Sequence, residues 1–160
     1  MQGMYETIIE ALQAYLQGCP LLAGAKLNVD FLPDRPLEYM ISPSPVDEVL
    51  KAYVHGASQR QYVFVLASKS PIDGDTAQAM ENSGFFERLA AWMEEQTRRR
   101  SFPALPGNRQ VQCIEAMSTG YLMSSTGTEG QYQIQCRLIY YQSLLIKSQA
   151  FFEEKFKNLI

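Results

Sequence analysis

Residues 131–141 carry the most regular alternation of hydrophobic and polar positions in the chain. A period of two predicts a β-strand, because successive strand side chains point to opposite faces of a sheet. One set of positions is hydrophobic and should face a core: Tyr132, Ile134, Cys136, Leu138 and Tyr140. The opposite set, which we call the outer row, comprises Gln131, Gln133, Gln135, Arg137, Ile139 and Tyr141.

The outer row lacks the Lys and Glu side chains that a solvated strand usually carries. Charges normally protect a long strand from pairing with other chains. A strand without them is either covered within its own fold or positioned to meet a partner. The outer row is therefore the candidate interface of this protein.

Hydrophobic positions at helical spacing predict three helices. The first covers residues 4–17 and the second covers 76–99, where Ser83 and Gly84 mark a point at which the helix can break. The third is a terminal helix over 144–160. The apolar stripe of the second helix is predicted to be Phe85, Leu89, Trp92 and Met93.

Seven segments, including 131–141, predict strands. After Gln61, residues 62–67 are apolar enough that the strand over 61–67 should be central and buried on both faces. Pro43 and Pro45 should interrupt a strand, because proline cannot donate to a ladder. Residues 127–130 are a turn signal that joins the last two strands in a hairpin. The predicted strands are 27–32, 37–42, 49–54, 61–67, 110–117, 119–125 and 131–141.

This order of elements predicts an α+β fold, with helices packed on one face of a mainly antiparallel sheet. We expect a single domain over residues 1–142 and a C-terminal helical extension over 143–160. The predicted core residues are Phe64, Leu89, Trp92, Ile134 and Leu138.

Composition narrows the classes of partner. The chain has 160 residues and a net charge of −3, which argues against a general nucleic-acid surface because such a surface needs clustered cations. The one basic run, 98–100, should instead lie at the negative end of a helix dipole. We see neither a signal-peptide pattern nor an apolar stretch of about 20 residues, so we expect no membrane association.

The three cysteines, Cys19, Cys113 and Cys136, are widely spaced and form no CxxC pair. This pattern predicts free, mostly buried thiols in a reducing cytoplasm.

The single histidine, His55, is the first candidate for chemistry, because histidine is the usual general base at neutral pH. Ser58 lies nearby in the sequence, and a Ser–His–Asp arrangement stays open because such residues meet only in space. The chain has no Gly-x-Ser-x-Gly motif, however. We interpret His55 as a turn or interface residue.

Other candidate sites are weaker. One histidine and three dispersed cysteines do not form a zinc-ligand set, and Asp73 with Asp75 lacks the downstream ligands of an EF-hand. We expect no catalytic residues, no metal and no cofactor. Four carboxylates of the second helix should form its solvated face: Glu81, Glu87, Glu94 and Glu95.

The chain resembles a family of small proteins from tailed bacteriophages and from prophages of Gram-positive bacteria, described as minor capsid or tail-completion proteins. The resemblance covers residues 4–142. The segments that carry it are LNVDFLP at 27–33, PSP at 43–45, RQYVFVLAS at 60–68, ENSGFFE at 81–87, IEAMSTGYL at 114–122 and QYQIQCRLIY at 131–140.

Members of this family look like tail terminators. The resemblance implies an α+β subunit that forms a ring, commonly a hexamer, at the head-proximal end of the tail. The ring would stop tube polymerisation and dock to the head connector. The implied partners are further copies of the chain, tail-tube proteins and head-connector proteins, in the cytoplasm of a bacterial host during assembly and then in the virion. The family role implies no catalytic residues.

Three alternatives stay open. A head–tail connector component shares this size and composition, and a monomeric adaptor would bind a single partner. A small hydrolase or acyltransferase would use His55, although the His-His-x-x-x-Asp-Gly segment of chloramphenicol-type acetyltransferases is absent from the chain.

Overall fold

The computed structural model describes residues 5–32, 38–71, 76–126 and 129–144. The described part is an α+β fold with two helices and a seven-stranded sheet. Its elements are α1 (Ile8–Gln17), a 3₁₀ turn (Pro20–Leu22), β1 (Lys26–Val29), β2 (Glu38–Pro43), β3 (Val49–Ala52), β4 (Ser58–Pro71), α2 (Thr76–Arg99), β5 (Arg109–Ala116), β6 (Tyr121–Thr126) and β7 (Glu129–Gln142).

Two 14-residue strands, β4 and β7, form the centre of the sheet and pair antiparallel along their whole length, from Ser58 opposite Gln142 to Pro71 opposite Glu129. The order is β1-β2-β4-β7-β5, with β3 beside β4 and β6 beside β7. Because β7 occupies one edge of β4, both β2 and β3 lie along its other edge. In the same way, β5 and β6 share the outer edge of β7. Only β1 and β2 pair in parallel among the described strands, so the expected mainly antiparallel sheet is confirmed.

Both helices pack on the same face of the sheet. There Phe64 of β4 lies opposite Cys136 of β7, and Leu66 lies opposite Ile134. This face holds the core, as the sequence predicts. Its largest fully buried side chains are Leu12, Leu16, Leu22, Leu27, Ile41, Phe64, Leu66, Leu89, Met93, Ile114, Ile134 and Leu138.

The fifth predicted core residue, Trp92, is only partly buried and packs against the edge of the core. Its ring centroid lies 5.5 Å from that of Tyr15 in α1. The Tyr15 hydroxyl in turn donates a hydrogen bond to the carbonyl of Ser101 at 2.7 Å. Trp92 therefore fills the margin between the two helices rather than the centre of the core.

Helix α2 runs without a break through Ser83 and Gly84, so the predicted helix over 76–99 is confirmed and the weak point at Ser83 and Gly84 does not interrupt it. The residues that face the core are Phe86, Leu89 and Met93. Phe85 is displaced to the margin of the core. The packing of this stripe outweighs the roughly 1 kcal/mol by which glycine weakens a helix.

Thr97 fixes the end of α2 to the sheet. Its hydroxyl donates to the Ile114 carbonyl at 2.8 Å and accepts from the Ile114 N–H at 3.0 Å. The helix ends at Arg99, and Arg100 follows with a φ of 55°.

Several element boundaries differ from the predictions for local reasons. Helix α1 begins at Ile8 rather than residue 4, because the Thr7 hydroxyl caps it by accepting from the Glu10 N–H at 3.3 Å. Strand β1 ends at Val29, because Asp30 adopts a φ of 57° that a strand cannot continue.

The described residues of the chain share one core cluster that includes both helices and the central strands. The predicted terminal helix lies outside the described residues from 145 onward. None of the described helices is long and apolar enough to cross a bilayer.

Candidate interface

The outer row lies on the face of the sheet opposite the two helices, which we call the far face. This position follows from the register of β7, because its alternate residues Ile134, Cys136 and Leu138 point into the core. Strand β7 is flanked by β4 on one side and by β5 and β6 on the other. The outer row therefore presents side chains rather than a main-chain edge.

The side-chain amides of Gln131 and Gln133 are hydrogen-bonded within the sheet. Gln131 Nε2 donates to Gln133 Oε1 at 3.3 Å, and Gln133 Nε2 donates to the Tyr121 hydroxyl at 2.8 Å. Gln133 is 8% exposed, which makes it one of the few buried polar residues of the described chain. The main-chain N–H of Gln135 donates to Ser118 Oγ at 3.1 Å. These bonds hold the row in a fixed arrangement.

The one cation of the outer row is neutralised within the sheet. Arg137 forms an ion pair with Glu115 of β5, with Nη2 and Oε1 2.9 Å apart, and its Nη1 donates to Gln61 Oε1 at 3.2 Å. Both charged side chains are about one-third exposed. Arg137 therefore adds no net charge to the far face.

Tyr141, at the end of the outer row, meets the predicted turn histidine. His55 Nε2 and the Tyr141 hydroxyl are 3.3 Å apart, and the His55 ring stacks on Tyr53 with centroids 5.7 Å apart. His55 is exposed in the turn between β3 and β4. Ser58 is buried, and its Oγ accepts from Arg60 Nε at 2.9 Å. The structure thus places His55 in an aromatic cluster with Tyr53 and Tyr141.

The other predicted chemical candidates do not come together. Glu81, Glu87 and Glu94 are exposed, as expected for a solvated helix face. Glu95 binds Arg98 and Arg99, and the hydrogen bond from Arg98 is the main reason that its pKa falls to about 2.

The described chain contains no group of three or more side chains that could hold a metal ion. The candidate turn at Asp73 and Asp75 lies outside the described residues.

All three cysteines are free thiols, and Cys19 and Cys136 are buried, as predicted. Burial raises the pKa of the Cys136 thiol far above its ordinary value. Cys113 is less buried, and burial also raises its pKa. Low thiolate content argues against a nucleophilic role for these residues.

The sequence reasoning missed two apolar edges of the sheet. The β3 edge consists of Val46, Val49, Leu50 and Val54, and the β6 edge consists of Met117, Tyr121, Leu122 and Met123; all are exposed. A signal was present, because Val49-Leu50 and Leu122-Met123 are adjacent hydrophobic residues that place apolar side chains on both faces of a strand.

The chain matches no protein-family model, and it shows no match to curated proteins.

Proposed function

We propose that this chain is a structural assembly protein of a tailed bacteriophage or prophage, either a tail terminator or a closely related tail-completion factor. In this role it forms a ring at the head-proximal end of the tail and contacts tail-tube and head-connector proteins. The observation that carries the proposal is the far face, where the outer row forms a surface without net charge and the side chains of Gln131, Gln133 and Arg137 are already paired within the sheet. The resemblance to tail-completion proteins supports the same role.

A neutral, pre-ordered surface is suited to permanent burial. A buried polar group is costly only when it loses its hydrogen bonds, and the amides of Gln131 and Gln133 keep theirs within the sheet. The charge of Arg137 stays paired with Glu115. Binding therefore requires little reordering of side chains, which is a main contribution to the free-energy cost of association.

The test adds charge to the outer row. In the double variant Gln133→Glu and Gln135→Glu, two carboxylates replace neutral amides on the far face, while the core face is unchanged. We expect the variant to fold but no longer to assemble into the virion, so that phage carrying it make overlong or unjoined tails. Normal virions from this variant would contradict the proposal.

Two further variants keep this test interpretable. Because Gln133 is nearly buried, Gln135→Glu alone provides a milder change at a more exposed position. The matched control is Ser83→Glu with Ala91→Glu, which adds the same charge at exposed positions of α2. The control should assemble normally.

The enzymatic alternative is tested at His55. We expect His55→Ala to support virion assembly nearly as well as the wild type, because the side chain is exposed and its polar neighbour is a tyrosine hydroxyl. A hydrolase or transferase activity that this variant loses while remaining folded would overturn the structural role. Size-exclusion chromatography with light scattering separates a ring from a monomeric adaptor.

A further inference from the structure

Among the residues that the structure describes, nothing pairs with the outer main-chain edges of β3 and β6. Within the described strands, β3 pairs only with β4, and β6 pairs only with β7. An open edge presents N–H and C=O groups that can extend the sheet into another chain.

Exposed large hydrophobic side chains concentrate at these two edges. Of the ten such residues in the described chain, four belong to the β3 edge and four to the β6 edge. The most exposed is Val54, which is fully accessible. Exposed apolar residues scattered singly are normal, whereas clusters mark contact surfaces.

The other two outer strands differ in character. Strand β5 carries Arg109, Gln110 and Glu115 among its less buried positions, and β1 begins with the exposed Lys26. Charged and polar side chains protect such edges from pairing. The apolar character is therefore specific to β3 and β6.

Charge does not oppose contact between these two strands. Strand β6 has no charged residue between Tyr121 and Thr126. The one charge within β3 is Lys51, whose ammonium lies 5.4 Å from the centroid of the Tyr53 ring. The acidic side chains next to β3, Asp47 and Glu48, would meet no acidic residue within β6.

The positions of the two strands fit contact between different copies. Strand β3 lies beside the start of β4, at the level where β7 ends, whereas β6 lies beside the start of β7. The strands are thus on opposite edges and at opposite ends of the sheet. A contact between β3 of one copy and β6 of the next is heterologous, and such contacts generate rings when the rotation closes.

We propose that β3 of one copy of this chain pairs with β6 of the next copy and that this pair is the lateral junction of the ring. The proposal rests on the ring-forming function proposed above. It leaves the far face of each subunit free to contact tail or connector proteins.

The size of the junction favours a ring over a dimer. Most of the four apolar side chains of each edge are somewhat less than half exposed, so one edge offers roughly 300 Å² of apolar surface. This is well below the ~800 Å² per partner of a standard stable interface. A single junction is therefore weak, while a closed ring gives every subunit two. We expect monomers and rings without abundant dimers.

Cysteine cross-linking of the full chain tests the pairing. Leu50→Cys and Leu122→Cys are introduced separately in a Cys113→Ser background, which removes the least buried native thiol. Under mild oxidation at high protein concentration, a mixture of the two variants should form covalent dimers, whereas neither variant alone should. Gln110→Cys on the β5 edge is the matched control and should cross-link with neither.

The outcomes separate this proposal from the proposed function. A covalent dimer from Leu50→Cys alone would show a symmetric contact and overturn the β3–β6 junction. A ring by light scattering without cross-links in the mixture would also overturn it, but would leave the ring function standing. A chain that remains monomeric throughout and supports assembly as a monomer would overturn both.

Discussion

Leu138 provides a direct test of the packing that supports the far face. Its side chain is completely buried in β7, opposite Tyr62 of β4 and Ile114 of β5. Leu138→Ala removes three buried carbons, worth about 2.4 kcal/mol of transfer free energy at ~0.8 kcal/mol each. Because paired strands on both sides hinder collapse of the site, the cavity should add to this loss. We expect the free energy of unfolding to fall by about 3–5 kcal/mol.

Urea unfolding, monitored by the fluorescence of the single tryptophan, measures this loss. The ring of that residue, Trp92, lies between the two helices, so its fluorescence should change when the helices separate. Leu122→Ala is the matched control. The Leu122 side chain is 47% exposed in β6, so we expect a loss of about 1 kcal/mol in dilute, unassembled protein. Equal losses for the two variants would refute the assignment of Leu138 to the core face of β7.

Three further predictions address other parts of the chain. Gly120→Ala should lower the free energy of unfolding by about 1–3 kcal/mol, because a Cβ at this position would lie 2.6 Å from Phe86 Cβ and Cγ; a thermal midpoint equal to that of the wild type would contradict this contact. Iodoacetamide at pH 8 should alkylate Cys113 before Cys136 in the native protein, as read by peptide mass spectrometry, because complete burial both hides the Cys136 sulfur and raises its pKa. Glu95 should stabilise the folded chain above pH 4.5, because folding lowers the pKa of its carboxyl from 4.5 to about 2. This contribution should disappear as the pH falls towards 2. The stability difference between the wild type and Glu95→Gln should therefore shrink over that pH range, and it should also shrink in high salt.

The sequence predicted the central strands well, because their patterns reflect burial directly. Alternation over 131–141 places Ile134 and Leu138 on the core face, and the structure confirms both. The apolar run 61–67 is the central part of β4. Its polar ends were missed, because Ser58–Arg60 and Lys69–Pro71 are held as strand by pairing with β7 rather than by their own propensity.

The candidate interface was predictable in composition but not in bonding. The low number of charged residues in the outer row was readable from the sequence. Its hydrogen bonds were not, because the partners of Gln133 and Arg137 come from other strands, such as Tyr121 in β6 and Gln61 in β4. The apolar edges were missed for a related reason, since only the strand order shows that β3 and β6 are outermost.

The long β4–β7 pair also determines when the chain can fold during its synthesis. Roughly 60 residues separate Pro71 from its partner Glu129, so at ~5–20 residues per second β4 waits about 3–12 s for the start of β7 to be made. During that interval the hydrophobic segment Tyr62–Ala67 of β4 lacks its pairing strand, β7. A nascent chain stopped before β7 should therefore depend on chaperones and aggregate without them, and release of the complete chain should coincide with the gain of protease resistance.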